Sequence, residues 1–153
     1  MTITVKIKKG KHYPNLSSLL KTMWLSIVKP KYIYVAFDDA SKYDLGTNDN
    51  YDWSKLVGRG GVLYGRDGGQ GYPTRKNEQF LVWRYIPEKD EFHVADNYQR
   101  INHKMQLPIT WDILKCGGVV RVSTKYLKSF IPVGSYFGGN MEAPNDVTYK
   151  ITW

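Results

Sequence analysis

The chain has one cysteine, no long apolar run and no acidic side chain in its first 30 residues. Cys116 alone cannot form an internal disulfide, and a zinc site built from several cysteines is excluded. No stretch reaches the roughly 20 apolar residues that a membrane-spanning helix needs. The opening segment MTITVKIKKGKHYP also lacks the apolar core of a signal peptide. We therefore expect synthesis in the cytoplasm and no membrane partner.

Aromatic side chains are the feature that this chain has in excess. Tyr, Trp and Phe make up 14% of its 153 residues. Flat rings pack well on pleated strands, and they are also common in protein interfaces and on sugar-binding surfaces. The length suits one domain with a core of its own. We therefore expect a single domain over residues 1–153.

Positive charge is concentrated at the N-terminal end. Residues 1–30 contain six lysines and no acid, and the formal net charge of the whole chain is +8. Residues 38–52, by contrast, contain five aspartates and one lysine. Neighbouring segments of opposite charge favour protein–protein contacts over a nucleic-acid groove. The predicted partner-binding residues are Lys6, Lys8, Lys9 and Lys11. A solvated lysine face on an edge strand is the alternative.

Alternating apolar and polar residues predict a chain built mostly of strands. Residues 2–8 and 146–153 alternate cleanly, and residues 31–37 are apolar on both faces, as in a central strand. Residues 79–86 and 91–98, joined by Pro-Glu-Lys-Asp, predict a hairpin. Shorter strands are predicted near 61–64, 103–109, 118–123 and 126–131.

One segment near the N-terminus has helical periodicity instead. Six apolar residues between Leu16 and Ile27 recur at helical spacing, Asn15 can cap the start, and Lys29-Pro30 can end the helix. This pattern predicts a helix over residues 16–27. A loop followed by a strand at 22–28 is the alternative.

A second short helix is predicted at residues 52–58, with Asp52 as N-cap and Gly58 at the end. Closely spaced strands with Gly- and Pro-rich turns dominate the rest. We therefore predict an all-β fold, an antiparallel β-sandwich of jelly-roll or lectin-like type with one short N-terminal helix.

The acids and histidines do not form a catalytic set. Glu88, Asp90 and Glu91 cluster in the predicted hairpin turn. Retaining glycoside hydrolysis needs two carboxylates on one strand face about 5 Å apart. The third acid of the corresponding strand motif would have to occupy position 93, which is His93. The three histidines share no metal-binding spacing. We expect no enzymatic activity, no cofactor and no metal site.

Residues 37–53 are the most polar constellation in the chain. Their carboxylate and amide oxygens suit Ca²⁺ chemically, although the spacing differs from an EF-hand loop. Turns and helix caps are the alternative. The glycine-dense stretch 58–73 lacks the phosphate-loop pattern and is predicted to be a long loop, which is long enough for ligand contact. The corner at 135–146 is predicted to be a structural turn before the closing strand, with ligand binding as the alternative. The candidate ligand-binding residues are Asp38, Asp39, Asp44, Asp49, Trp53, Tyr72 and Asn140.

Three segments, residues 37–58, 76–84 and 136–146, resemble a known family. They carry, in order, Phe-Asp, Tyr-Asp-Leu, Lys-Leu-x-Gly, Trp-Arg and Tyr-Phe-Gly-Gly-Asn-x-x-Ala-Pro. This set is similar to small single-domain β proteins of gut-type bacteria and their tailed phages, most of which have no assigned function. The resemblance implies a jelly-roll or lectin-type sandwich. It brings no catalytic residues and favours binding or assembly over catalysis.

Together these features predict a non-enzymatic structural or accessory protein of a phage particle, located in the virion. It would act in capsid or tail assembly or decoration through contacts with other virion or surface proteins, including a second copy of the chain. The alternative is a carbohydrate-binding module with exposed Tyr and Trp rings as stacking platforms.

Overall fold

Ten strands and one α-helix lie in the part of the chain that the structure, a computed structural model, describes: residues 1–60, 78–101, 104–129 and 131–153. The helix is α1, Leu16–Val28. The strands are β1 Thr2–Ile7, β2 Tyr32–Ala36, β3 Ser54–Gly60, β4 Glu78–Ile86, β5 Glu91–Ile101, β6 Lys104–Gln106, β7 Asp112–Leu114, β8 Val119–Ser123, β9 Ile131–Val133 and β10 Val147–Thr152.

The strands form two antiparallel sheets. Sheet A has the order β1-β10-β2-β8, and sheet B has the order β6-β5-β4-β3-β9 with β7 paired to β5 outside this order. The prediction of an all-β antiparallel sandwich with one N-terminal helix is confirmed. The jelly-roll path of the chain stays an expectation.

One apolar core fills the space between the sheets. Sheet A contributes alternate residues such as Val5, Ile33 and Tyr149, and sheet B contributes Leu81 and Trp83, each at most 2% exposed. Every second residue faces the core because successive strand side chains point to opposite faces. The core is therefore shared by both sheets.

The cleanly alternating strands were predicted correctly. β10 lies between β1 and β2, and its register with β1 runs from Thr2 opposite Thr152 to Ile7 opposite Val147. The predicted hairpin is β4 and β5, joined by a 3₁₀ turn at Pro87–Lys89. A period of two over five or more residues is a strong signal because one face of each strand must be apolar.

The predicted helix at residues 52–58 is wrong, because most of this segment is strand β3. A β-bulge shifts the pairing with β4 just after Lys55, and both Leu56 and Val57 are fully buried. The bulge breaks the alternation that would have revealed the strand. Gly58 is required by close packing, since a Cβ there would overlap the Phe80 ring.

Two further strand predictions need correction. The stretch 126–131 begins in a turn, which Leu127 N closes by donating to Thr124 O at 3.0 Å, and the Leu127 side chain is buried; among the described residues of this stretch only Ile131, the first residue of β9, is strand. Of the predicted strand 103–109, only β6 is described as strand, and β7 was not predicted. The stretch 61–64 lies outside the described residues.

The helix predicted at residues 16–27 is confirmed as α1. Asn15 Oδ1 accepts a hydrogen bond from Ser18 N at 2.9 Å, and the helix ends at Lys29, which has a left-handed backbone with φ of 49°. α1 packs on β1, β3 and β9, and so covers the edge strands β1 of sheet A and β9 of sheet B. No helix in the described ranges has both the length and the apolarity to cross a bilayer.

Candidate functional site

α1 turns its small polar side toward the sandwich. Its buried residues are Ser18, Thr22, Leu25 and Ser26, of which only Leu25 is apolar. Residues four apart lie on the same face of a helix, so the two serines and the threonine form one stripe. The apolar stripe that predicted this helix therefore does not face the core.

Hydrogen bonds hold the polar stripe of α1 against strand β9 and the residues after it. Thr22 Oγ1 accepts from Ser135 N at 3.1 Å, and Ser26 Oγ donates to Val133 O at 3.2 Å. A Cβ on Gly134 would lie only 2.9 Å from Thr22 Oγ1. The backbone thus approaches the helix so closely that glycine is needed at position 134, since a Cβ there would also lie 2.6 Å from Leu19 Cδ1 and 3.0 Å from Leu19 O.

Arg59 fastens the C-terminal end of α1. Its Nε and Nη2 donate to Ser26 O at 2.9 and 2.7 Å, and its Nη1 donates to Ser129 O at 2.9 Å. Carbonyl groups in the last turn of a helix lack helical partners and carry the negative end of the helix dipole, which a guanidinium neutralises. These bonds fix how α1 is rotated about its own axis.

The opposite side of α1 is a solvent-exposed apolar surface, which we call the α1 face. It consists of Leu16, Leu20, Trp24, Ile27 and Val28, each between 46% and 69% exposed. At 1.5 Å of rise per residue, the face is about 18 Å long. A contiguous exposed apolar surface of this kind is typical of an interaction site.

The predicted partner-binding lysines lie next to α1 in the chain. Lys6 is on edge strand β1, where its Nζ is 3.6 Å from Asp146 Oδ2, and Lys8, Lys9 and Lys11 lie in the connection from β1 to α1. All four side chains are exposed. Partner binding by these lysines and the alternative of a solvated edge both stay predictions.

The four predicted aspartates of residues 38–49 serve local turns. Asp38 accepts from Ala40 N at 2.9 Å, and Asp39 pairs with Lys42 Nζ at 3.1 Å. Asp44 accepts from Asn50 Nδ2 at 2.9 Å, and Asp49 accepts from Thr47 Oγ1 at 2.7 Å. The Asn50 side chain and a backbone N–H lower the pKa of the Asp44 carboxyl. Among the described residues, no three His, Cys, Asp or Glu side chains are grouped to hold a metal ion. The arrangement supports the alternative of turns and caps.

Of the other three predicted ligand-binding residues, the structure describes Trp53 and Asn140, which lie in different places. Trp53 is only 7% exposed and lies on the outer face of sheet B. Asn140 is exposed beside a shallow cavity of about 420 Å³ that Lys9 also lines. Tyr72 lies outside the described residues.

A second candidate surface lies on the outer face of sheet B, around Arg84. The guanidinium carbon is 4.1 Å from the centroid of a Trp53 ring, 5.1 Å from that of Trp111 and 5.6 Å from that of Tyr51. His93, paired with Arg84 across β4 and β5, stacks on Trp111 at 5.6 Å with 23° between the rings. We call these five residues the Arg84 cluster.

Hydrogen bonds define the protonation and orientation of the Arg84 cluster. Arg84 Nε donates to His93 Nδ1 at 3.1 Å, so the proton of the neutral imidazole is on Nε2, which donates to Glu91 Oε1 at 2.8 Å. Burial lowers the pKa of His93, which keeps the ring neutral. Arg84 Nη1 donates to Tyr51 O at 2.9 Å, and Tyr51 OH donates to Glu88 Oε1 at 3.1 Å.

Sequence reasoning identified only Trp53 of this cluster. The predicted hairpin, with its four-residue connection, already places position 84 opposite position 93, so Arg84 and His93 could have been paired from the sequence. Trp111 and Tyr51 come from separate connections, and no local pattern predicts that they meet Arg84.

No protein-family model, curated protein or solved structure matches the chain. The resemblance to β proteins of gut-type bacteria and their phages therefore stays an expectation. Function is argued from the two surfaces.

Proposed function

We propose that the protein is a non-catalytic structural or accessory protein of a phage particle, which docks onto another virion protein through the α1 face. The observation that carries the docking role is the α1 face itself, a row of half-exposed apolar side chains on a helix that hydrogen bonds hold in a fixed orientation. The phage setting rests on the family resemblance.

Charge indicates the chemistry of the partner. Residues 1–30 contain six lysines and no acid, and Lys21 on α1 borders the α1 face. Two copies meeting through this face would bring lysines together without a carboxylate from the same segment, which disfavours self-pairing. The aspartates of residues 38–49 have local partners. The partner we propose has an apolar groove with carboxylates along its rim.

The energetics set a requirement on this interface. Burying the exposed half of five apolar side chains contributes on the order of 5 kcal/mol. Association of two proteins costs about 4–15 kcal/mol in lost freedom. The α1 face therefore needs help from the surrounding lysines, each of which adds less than ~1 kcal/mol as an exposed pair but also steers the encounter.

Binding to virion proteins tests the proposal. The products of structural genes beside the gene for this chain would be purified singly and titrated against it, with sedimentation and tryptophan fluorescence as readouts and Trp24→Phe used to identify the contribution of Trp24 to the signal. We expect one of them to bind, the double variant Leu20→Ser, Ile27→Ser to lose binding, and added salt beyond ~0.15 M to weaken it. Val119→Ser, at a residue 63% exposed on β8, is the matched control and should bind normally.

The lysines are tested by changing Lys6, Lys8, Lys9 and Lys11 to Glu, which should weaken binding and leave the melting temperature nearly unchanged. The proposal is contradicted if no virion protein binds. It is also contradicted if the Leu20 and Ile27 double variant binds as well as the wild type. So would a dimer that the double variant abolishes, or binding to vesicles of anionic phospholipid, since these results assign the α1 face to a second copy or to a membrane.

A further inference from the structure

The Arg84 cluster presents two aromatic rings that are held in place from beneath. Trp111 is 40% exposed and Tyr51 is 45% exposed. Beneath Trp111, His93 stacks on one face, and Trp53 meets the ring edge-on at 5.8 Å. A ring that is already ordered loses little conformational freedom when a ligand covers it. Both rings are thus held in place by their neighbours while close to half of each side chain stays exposed to a ligand.

Hydrogen-bonding groups of both kinds surround these rings. The Arg84 guanidinium offers donors only, and the Glu88 and Glu91 carboxylates offer acceptors only. Glu88 is held beside the Tyr51 ring by a bond of 3.1 Å from the phenol. A pyranose ring has an apolar face of C–H groups, which can lie on an aromatic ring, and hydroxyl groups that both donate and accept. The arrangement of an apolar platform with a few polar groups at its edge is typical of small-ligand sites.

Charge around the cluster disfavours an anionic ligand. Side chains of both signs lie near it in equal number, with no positive excess. The cations are Arg84, Lys89, Lys115 and Lys42, of which Lys42 pairs with Asp90, and the acids are Glu88, Asp90, Glu91 and Asp112. His93 is neutral, because its Nδ1 accepts the hydrogen bond from Arg84. Nucleic acids are bound mainly through phosphate contacts with an excess of Lys and Arg, which this face lacks. A neutral ligand fits better.

We infer that the Arg84 cluster binds a neutral saccharide, with a pyranose ring stacked on Trp111 and Tyr51 and its hydroxyl groups bonded to Arg84 and Glu88. This function is independent of docking through the α1 face. It uses residues of β4, β5 and the connections that carry Tyr51 and Trp111, whereas α1 packs on β1, β3 and β9.

A glycan array of neutral and anionic oligosaccharides, followed by calorimetric titration with the best neutral glycan, tests the inference. We expect Trp111→Ala to weaken binding at least tenfold and Trp111→Phe to restore part of it. Tyr51→Ala, which removes the more exposed ring, should weaken glycan binding as well. It replaces Trp111→Ala in the test if that variant has a lowered melting temperature. The matched control is Trp24→Ala, which removes an exposed tryptophan from the α1 face and should leave glycan binding unchanged.

Three results would overturn the inference. The first is that the wild type binds no neutral glycan more tightly than Trp111→Ala does. The second is binding to anionic glycans alone, and the third is loss of glycan binding in Trp24→Ala. The controls also separate the two proposals. If the double variant Leu20→Ser, Ile27→Ser no longer binds the virion partner but still binds the glycan, both proposals are supported. If only the partner assay fails, the docking role of the α1 face is rejected. If only the glycan assay fails, saccharide binding by the Arg84 cluster is rejected.

Discussion

The orientation of α1 makes a prediction that can be tested without any partner. Leu20 and Leu25 lie five residues apart on the same helix, yet Leu20 is 53% exposed and Leu25 is 1% exposed. Leu and Ala have similar helix propensities, so Leu→Ala at either position leaves the helix itself nearly unaffected. Any difference in stability between Leu20→Ala and Leu25→Ala therefore reports which side of α1 faces the core.

The magnitudes are well separated. Leu25→Ala removes a fully buried side chain and leaves a cavity, which lowers the free energy of unfolding by about 2–5 kcal/mol. Leu20→Ala removes apolar surface that water already contacts, and surface changes of this kind stay within about 0.5 kcal/mol. For a domain of this size, about 1 kcal/mol corresponds to roughly 2–4 °C in melting temperature. The two variants should differ by several degrees.

Urea denaturation followed by circular dichroism and tryptophan fluorescence measures both variants against the wild type. We expect a clear drop in the midpoint for Leu25→Ala, none for Leu20→Ala, and the same slope in all three proteins. If Leu20→Ala is as destabilising as Leu25→Ala, the apolar stripe faces the core, the α1 face does not exist, and the docking proposal loses its basis.

Three further predictions concern the sandwich. Gly58→Ala should lower the melting temperature, with a loss of about 1–3 kcal/mol, because its Cβ would overlap the Phe80 ring and lie 2.8 Å from Gln79 O; an unchanged melt would contradict the pairing of β3 with β4. Tyr149→Phe should change stability in urea by less than about 1 kcal/mol, since the buried hydroxyl makes no hydrogen bond of normal geometry and has only the Ser135 and Trp83 side chains as weak neighbours; a larger loss would show that one of these contacts is a true hydrogen bond. Burial lowers the pKa of His93 in the folded chain. At a pH below the ordinary histidine pKa of 6.5, the unfolded chain therefore binds more protons than the folded chain. Stability should therefore fall as the pH drops from 7.5 to 5.5, and His93→Asn should flatten this dependence; an equal slope in both proteins would argue against a neutral buried ring.

Strands that bury one face were the part of this fold that the sequence predicts best. β1 and β10 each bury every second residue over their whole length, and this burial appears directly as alternation in the sequence. In β3 the bulge places Leu56 and Val57 side by side in the core, and the alternation is lost. Short strands such as β7, whose side chains are mostly exposed, carry no pattern at all.

The candidate surfaces were harder to predict, for two different reasons. Helical spacing shows that α1 has an apolar side, but it does not show that this side faces solvent; the small residues Ser18, Thr22 and Ser26 are the signal that another side packs closely. The Arg84 cluster brings together residues from four separate segments. Only the sheet register and the connections decide that Trp111 reaches Arg84.

The buried polar bonds of α1 explain why its apolar side stays exposed. A helix with one large apolar face normally gains most by rolling that face onto the core. Here such a roll would break the bonds from Arg59 to Ser26 O and from Ser135 N to Thr22 Oγ1, and would leave these groups buried without partners. Because the two sheets share a core without the α1 face in the part of the chain that the structure describes, an outside partner gives the best reason for five large apolar residues on it.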